Sequence, residues 1–109
     1  MRVHICAVGR LRSDPERTLI DDYQTRFDRT GRALGLGPLS IHEVEDKRGG
    51  GSSAEAQLLE KTFPKGAVLV AMDERGRQLS SPDFAQAIAV RRDNGCSDLC
   101  FIIGGADGI

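Results

Sequence analysis

Four short apolar segments alternate along the chain with three stretches in which apolar residues recur at helical spacing. The segments span 3–8, 39–45, 67–72 and 99–103 and are rich in β-forming residues. Regular alternation of strands and helices favours a mostly parallel sheet joined by right-handed crossovers. The sequence therefore predicts an α/β fold, a mostly parallel sheet with flanking helices, in the order βαβαβαβ.

The first two helices are predicted from their start signals. Ser13 and Glu16 form a capping box before an amphipathic helix that extends to about Thr30. Ser52 and Glu55 form a second box. The glycine-rich segment 46–53 that precedes the second helix is expected to be a flexible loop.

The last helix and the two most apolar strands carry predictions about burial. Ser81, followed by proline, is the expected cap of the third helix. Its expected inward stripe consists of Phe84, Ala85, Ile88 and Ala89. The uninterrupted apolar run 67–72 is typical of a strand covered on both faces, and 99–103 is expected to be a central strand.

Length and composition limit the classes of protein to consider. A chain of 109 residues forms one domain, and 39% hydrophobic with 28% charged residues is ordinary for a soluble protein. No apolar run approaches the ~18 residues of a membrane span. The formal charge of −1 gives no global basic field for nucleic acid. The three cysteines, Cys6, Cys96 and Cys100, lack zinc spacing, so we expect small buried thiols and no metal site.

Candidate functional residues follow the strands, because ligands of parallel sheets bind beyond the carboxyl ends of the strands. The glycine turn at 104–108 fits a ligand loop and a plain tight turn about equally well. Arg75 and Arg77 are candidates for phosphate contacts in the loop after the third strand. His4 and His42 lie in separate strands, and the sequence places no acid or thiol to form a catalytic dyad with either, so we expect core or edge histidines.

Five blocks taken together resemble one family. They are Ala-Val-Gly-Arg-Leu at 7–11, Asp22-Tyr23 with Arg26-Phe27, Lys-Arg-Gly at 47–49, Met-Asp-Glu-Arg-Gly-Arg-Gln-Leu-Ser-Ser at 72–81, and Phe-Ile-Ile-Gly-Gly-Ala-Asp-Gly at 101–108. In this order and spacing they are similar to the RlmH (YbeA-like) family of SPOUT-class 23S rRNA pseudouridine N3-methyltransferases. The resemblance extends over essentially the whole chain.

The resemblance implies an α/β trefoil-knot fold and a cytoplasmic homodimer that needs neither membrane nor metal. It implies transfer of a methyl group from S-adenosylmethionine to N3 of a pseudouridine in 23S rRNA of the assembled ribosome. Met72 and Gly104 would contact the cofactor through backbone groups, and Gly105 and Gly108 would shape that loop. The candidate RNA-binding residues are Arg10, Lys47, Arg48, Arg75 and Arg77. The resemblance leaves the catalytic base unknown.

The chain also departs from the family pattern, because members continue for several dozen residues beyond the glycine motif. We therefore expect residues 1–109 to correspond to the N-terminal two-thirds of a knotted methyltransferase domain and to be inactive alone. Two alternatives stay open. One is a non-enzymatic remnant that binds ribosomes, and the other is an α/β module that binds nucleotide or phosphate.

Overall fold

The computed structural model describes residues 1–9, 14–46, 49–72 and 78–104. The strands are β1 (Arg2–Val8), β2 (Leu39–Val44), β3 (Val68–Met72) and β4 (Asp98–Ile103), and the helices are α1 (Asp14–Arg32), α2 (Gly51–Glu60) and α3 (Ser81–Asp93). The strands form one sheet in the order β2-β1-β4-β3, with every neighbouring pair parallel. The predicted α/β class and element order are confirmed.

Helices cover both faces of the sheet. From α2, Leu59 packs against Cys6, Cys100 and Ile102 on one face. The other face carries α1 and α3, and Phe84 of α3 lies 5.6 Å from Phe101 between ring centroids. None of the helices within the described ranges is long and apolar enough to cross a membrane.

The core lies on β4, which confirms the prediction that this strand is central. Leu99 and Cys100 of β4 and Cys6 of β1 are the largest fully buried side chains. Burial raises the pKa of the Cys100 thiol to about 11, helped by the neighbouring Cys6. Cys100 is therefore a neutral thiol, and Cys6 and Cys100 are both buried packing groups, as predicted.

β3 and α3, at the edge of the sheet away from β2, are less buried than predicted. β3 is an edge strand, and its Leu69 and Met72 side chains are exposed, so the expected cover on both faces is wrong. The predicted stripe of α3 does face the sheet, since Phe84 contacts Phe101 and Ile88 and Ala89 are half-buried. No residue of α3 is fully buried, however, and Phe84 is 37% exposed. A helix that packs over the rim of a sheet finds fewer apolar neighbours than one over its centre.

The end of α1 also differs from the prediction. The helix continues through Gly31 to Arg32, two residues beyond the predicted end at about Thr30. The Gly31 carbonyl accepts hydrogen bonds from the amides of Leu34 and Leu36, which closes the helix. A side chain at Gly31 would place its Cβ 2.8 Å from the Leu36 carbonyl oxygen, so this turn requires glycine.

The helix caps are shifted by one or two residues. Helix α2 begins at Gly51 with Gly50 as its cap, so the cap predicted at Ser52 is wrong and the predicted loop 46–53 contains the first turn. The cap of α3 is Ser80 rather than Ser81, and its Oγ accepts a hydrogen bond from the amide of Asp83. The first predicted cap, Ser13, lies outside the described residues.

Replacing Leu99 by alanine tests the central position of β4. Because Leu99 is 2% exposed, Leu99→Ala leaves a cavity and should lower the free energy of unfolding by about 2–5 kcal/mol in urea titrations. Leu34→Ala is the control, since Leu34 is 52% exposed and its truncation should change stability by less than about 0.5 kcal/mol. Equal effects of the two changes would contradict the assigned core.

Candidate functional site

The carboxyl edge of the sheet brings together two of the predicted cofactor residues. Met72 is the last residue of β3 and pairs in register with Ile103, the last residue of β4. Gly104 follows Ile103 directly and is half-buried. Met72 and Gly104 therefore lie at neighbouring strand ends, where parallel α/β sheets bind their ligands.

The chemistry of this edge is that of backbone groups beside apolar side chains. Because Met72 and Ile103 are register partners, their side chains lie on the same face of the sheet. Both are more than 40% exposed, at 44% and 43%. The backbone groups beyond a strand end lack ladder partners, so an edge of this kind can bind a flat, partly polar ligand.

The other predicted site positions follow the ends of the same sheet in sequence but lie outside the described residues. They are Arg10 after β1, Lys47 and Arg48 after β2, Arg75 and Arg77 after β3, and Gly105 and Gly108 after β4. Among described neighbours, Gly9 has φ +107 and donates its amide hydrogen to the Val44 carbonyl at 2.7 Å. This bond joins the ends of β1 and β2 at the same edge.

A groove of about 840 Å³ lies between α1 and the sheet. Its lining is mainly apolar and includes Ile5, Ala7, Ile20, Phe27, Ile41 and Ile103. Glu43 lies in its wall and accepts a hydrogen bond from the Arg17 guanidinium at 2.6 Å. Since Ile103 lines the groove and pairs with Met72, the groove adjoins the candidate ligand edge.

A second cluster, missed by sequence reasoning, lies at the amino end of the sheet. Asp98, the first residue of β4, accepts two hydrogen bonds from Arg2, at 2.8 and 2.9 Å. It also lies 2.9 Å from Nε2 of His4, which in turn faces His42 across 3.4 Å. His4 and Asp98 are 7% and 4% exposed. One feature of the sequence could have indicated this cluster. Asp98 begins an otherwise apolar central strand, and the first strand carries Arg2 and His4 at alternate positions.

The electrostatics of this amino-end cluster keep Asp98 ionised. Hydrogen bonds from Arg2 and then from His4 hold the pKa of the Asp98 carboxyl below its usual range. Burial, with a smaller contribution from His4, lowers the pKa of His42. The cluster lies at the opposite end of the strands from Met72 and Gly104, so its role is to join β1, β4 and β2.

Metal ligands are not grouped in the part of the chain that the structure describes. Within these ranges no set of three or more His, Cys, Asp or Glu side chains could hold a metal ion. The candidate site consists instead of strand-end backbone and apolar surface at the carboxyl edge.

Comparison with known proteins gives one consistent result. Residues 1–109 match the family described as "Predicted SPOUT methyltransferase". The chain is 66% identical to "Ribosomal RNA large subunit methyltransferase H" of Ruegeria sp. (strain TM1040). It is 67% and 63% identical to proteins of the same name from Ruegeria pomeroyi and Dinoroseobacter shibae. Each comparison covers 100% of this chain and 70% of the relative.

Asp98→Asn tests the cluster at the amino end. Losing the carboxylate that Arg2 and His4 share should lower the free energy of unfolding by roughly 1.5–3 kcal/mol near neutral pH. The folded-state pKa of Asp98 is lowered, so its contribution to stability is complete above the unfolded pKa of 3.8 and is lost as the pH falls further. The difference between wild type and variant in urea titrations should therefore shrink below that pH.

The matched control for this change is Asp93→Asn. Asp93 pairs with Arg92 at the surface, where its side chain is 67% exposed, so its loss should change stability by less than about 0.5 kcal/mol. If Asp98→Asn were no more destabilising than Asp93→Asn near neutral pH, the cluster would have no structural role.

Proposed function

Because this chain belongs to the SPOUT methyltransferase family, we propose that it acts in methylation of large-subunit ribosomal RNA. The observation that carries the proposal is the match over residues 1–109, together with relatives of one name at 63–67% identity. We propose S-adenosylmethionine as the methyl donor and N3 of a 23S rRNA pseudouridine as the acceptor. A cytoplasmic homodimer that works on the assembled ribosome completes the proposal.

The residues at the carboxyl edge fit this methyl donor. S-adenosylmethionine supplies an electrophilic methyl group on a sulfonium when it is bound. Met72 and Ile103 offer adjacent apolar surface to the flat adenine, and the strand ends offer backbone donors and acceptors. Gly104 adds no side chain at the point where the ligand and the backbone would meet, which permits close approach.

The proposed role of these residues is to position the donor and exclude water from it. Methyl transfer from a sulfonium needs an aligned nucleophile and a dry site, and orientation alone can supply much of the rate. The residues at the edge would only position the donor, and the proton that N3 of the pseudouridine loses on methylation would pass to a base other than these residues. This agrees with an edge made of Met72, Ile103 and backbone groups.

RNA contacts are proposed for the five basic residues that follow the same strands. Arg10, Lys47, Arg48, Arg75 and Arg77 come after the carboxyl ends of β1, β2 and β3 in the sequence. Lysine and arginine side chains bind phosphates and fix the register of an RNA without reading its bases. A local basic group of this kind is compatible with a formal net charge of −1.

Titration calorimetry with S-adenosylmethionine tests the cofactor site. The subject is a chimaera in which residues 1–109 replace the matching part of the Ruegeria sp. relative. We expect the chimaera to bind the cofactor and Gly104→Val to weaken binding about tenfold or more, because a branched side chain would occupy the ligand edge. Ala87→Val, on the exposed side of α3, is the matched control and should bind like the parent.

Met72→Ala in the same chimaera tests whether Met72 contacts S-adenosylmethionine through its backbone or through its side chain. If Met72 acts through its backbone, truncation should weaken binding by less than about threefold. A chimaera that bound no S-adenosylmethionine, or a Gly104→Val variant that bound it normally, would contradict the proposed site.

Methyl transfer to ribosomes tests the proposed activity. The chimaera should transfer labelled methyl groups to 23S rRNA, and the label should map to N3 of a pseudouridine. Co-sedimentation with ribosomes in the absence of transfer would favour the non-enzymatic remnant. Thermal stabilisation by nucleotides but not by S-adenosylmethionine would favour the nucleotide-binding module.

A further inference from the structure

Two imidazole nitrogens face each other between β1 and β2. Nδ1 of His4 lies 3.4 Å from Nε2 of His42, and the rings stack with centroids 5.6 Å apart and planes 24° apart. The other nitrogen of His4, Nε2, lies 2.9 Å from Oδ1 of Asp98. An ionised carboxylate only accepts hydrogen bonds, so Nε2 of His4 carries a hydrogen.

That constraint leaves room for one hydrogen between His4 Nδ1 and His42 Nε2. With one hydrogen, either ring can be the donor and the contact is attractive. With two, a pair of N–H groups would point at each other, and this arrangement is unavoidable when both rings are cationic. We propose that His4 and His42 share a single proton, and that uptake of a second proton separates them and releases the edge strand β2 from β1.

The shared proton dictates how the rings rearrange. In the neutral pair, His42 donates from Nε2 to Nδ1 of His4, so both rings are Nε2–H tautomers. When the pair gains one proton, the charge is best placed on His4, 2.9 Å from the Asp98 carboxylate. His4 then donates at Nδ1, so His42 accepts at Nε2 and carries its own hydrogen on Nδ1. The first proton therefore changes the tautomer of His42 while the strands stay paired.

The surroundings do not compensate a second positive charge. Asp98 already binds both Arg2 and His4. The thiols of Cys6 and Cys100, on the same face, are buried. Within the described residues, Glu55 and Glu60 of α2, the helix that packs on this face, form no ion pair with either ring.

The charged residue Glu43, next to His42 in β2, does not face the histidine pair. Glu43 of β2 alternates to the opposite face, where it pairs with Arg17. Burial and the neighbouring His4 lower the pKa of His42. The stability that depends on neutral His42 is thus complete above the unfolded value of 6.5 and is lost as the pH falls toward the folded value.

Release of β2 would affect only one side of the sheet. β2 is an edge strand that pairs with β1 alone, and His42 lies opposite Cys6 within that pairing. Its release leaves β1, β4 and β3 joined. It also breaks the bond from Gly9 to Val44, so acidification would loosen the β1 and β2 side of the candidate ligand edge.

Nitrogen NMR of the two imidazoles in the 109-residue chain tests the proton sharing directly. Between about pH 8 and pH 5, we expect the first proton to convert His42 from the Nε2–H to the Nδ1–H tautomer. Uptake of the second should coincide with loss of the β2 amide signals. Independent titration of the rings, with His42 keeping its hydrogen on Nε2 throughout, would overturn the proposal.

Amide hydrogen exchange, expressed as protection factors, tests the release of β2. In the wild type, protection at residues 39–44 should fall about tenfold or more between about pH 7.5 and pH 5.5, while β4 keeps its protection. His42→Gln retains an Nε2 donor toward His4 but cannot become charged, so its β2 should lose less than about twofold. Equal loss in wild type and variant, or joint loss in β2 and β4, would overturn the proposal.

Discussion

The ion pair between Arg2 and Asp98 fixes the alignment on which the rest of the sheet depends. β4 comes late in the chain, yet it inserts between β1 and β3, and Asp98 is the register partner of Arg2. A slip of one residue would turn the Asp98 carboxylate away from Arg2 and His4 and would exchange the faces on which Leu99 and Cys100 pack. The same register brings Ile103 opposite Met72 at the other end. A charged contact at the amino edge thus determines the geometry of the carboxyl edge.

The two ends of the sheet have separate roles, stability at the amino edge and ligand binding at the carboxyl edge. The amino edge carries the buried charges and the paired histidines, which join three strands. The carboxyl edge carries exposed apolar side chains, strand-end backbone and the proposed cofactor contacts. Membership of the SPOUT methyltransferase family agrees with a ligand at this second edge, since parallel sheets bind ligands there.

The sequence predicted the strands to within about one residue because each is a short apolar run. The uninterrupted apolar run 99–103 also predicted that β4 is central. Strand order is not encoded in such runs, so 67–72 was taken for a covered strand although β3 lies at an edge. The contact between His4 and Asp98 was missed because it joins residues 94 positions apart. Met72 and Gly104 were selected by resemblance, and strand pairing accounts for their proximity.

Amide chemical-shift mapping of the isotope-labelled chimaera during titration with S-adenosylmethionine tests the central claim most directly. We expect the largest shifts at the carboxyl ends of β3 and β4, around Met72, Ile103 and Gly104, with Arg2, His4 and Asp98 unaffected. Shifts centred on the amino-end cluster, or spread evenly over the sheet, would contradict a cofactor site at the carboxyl edge.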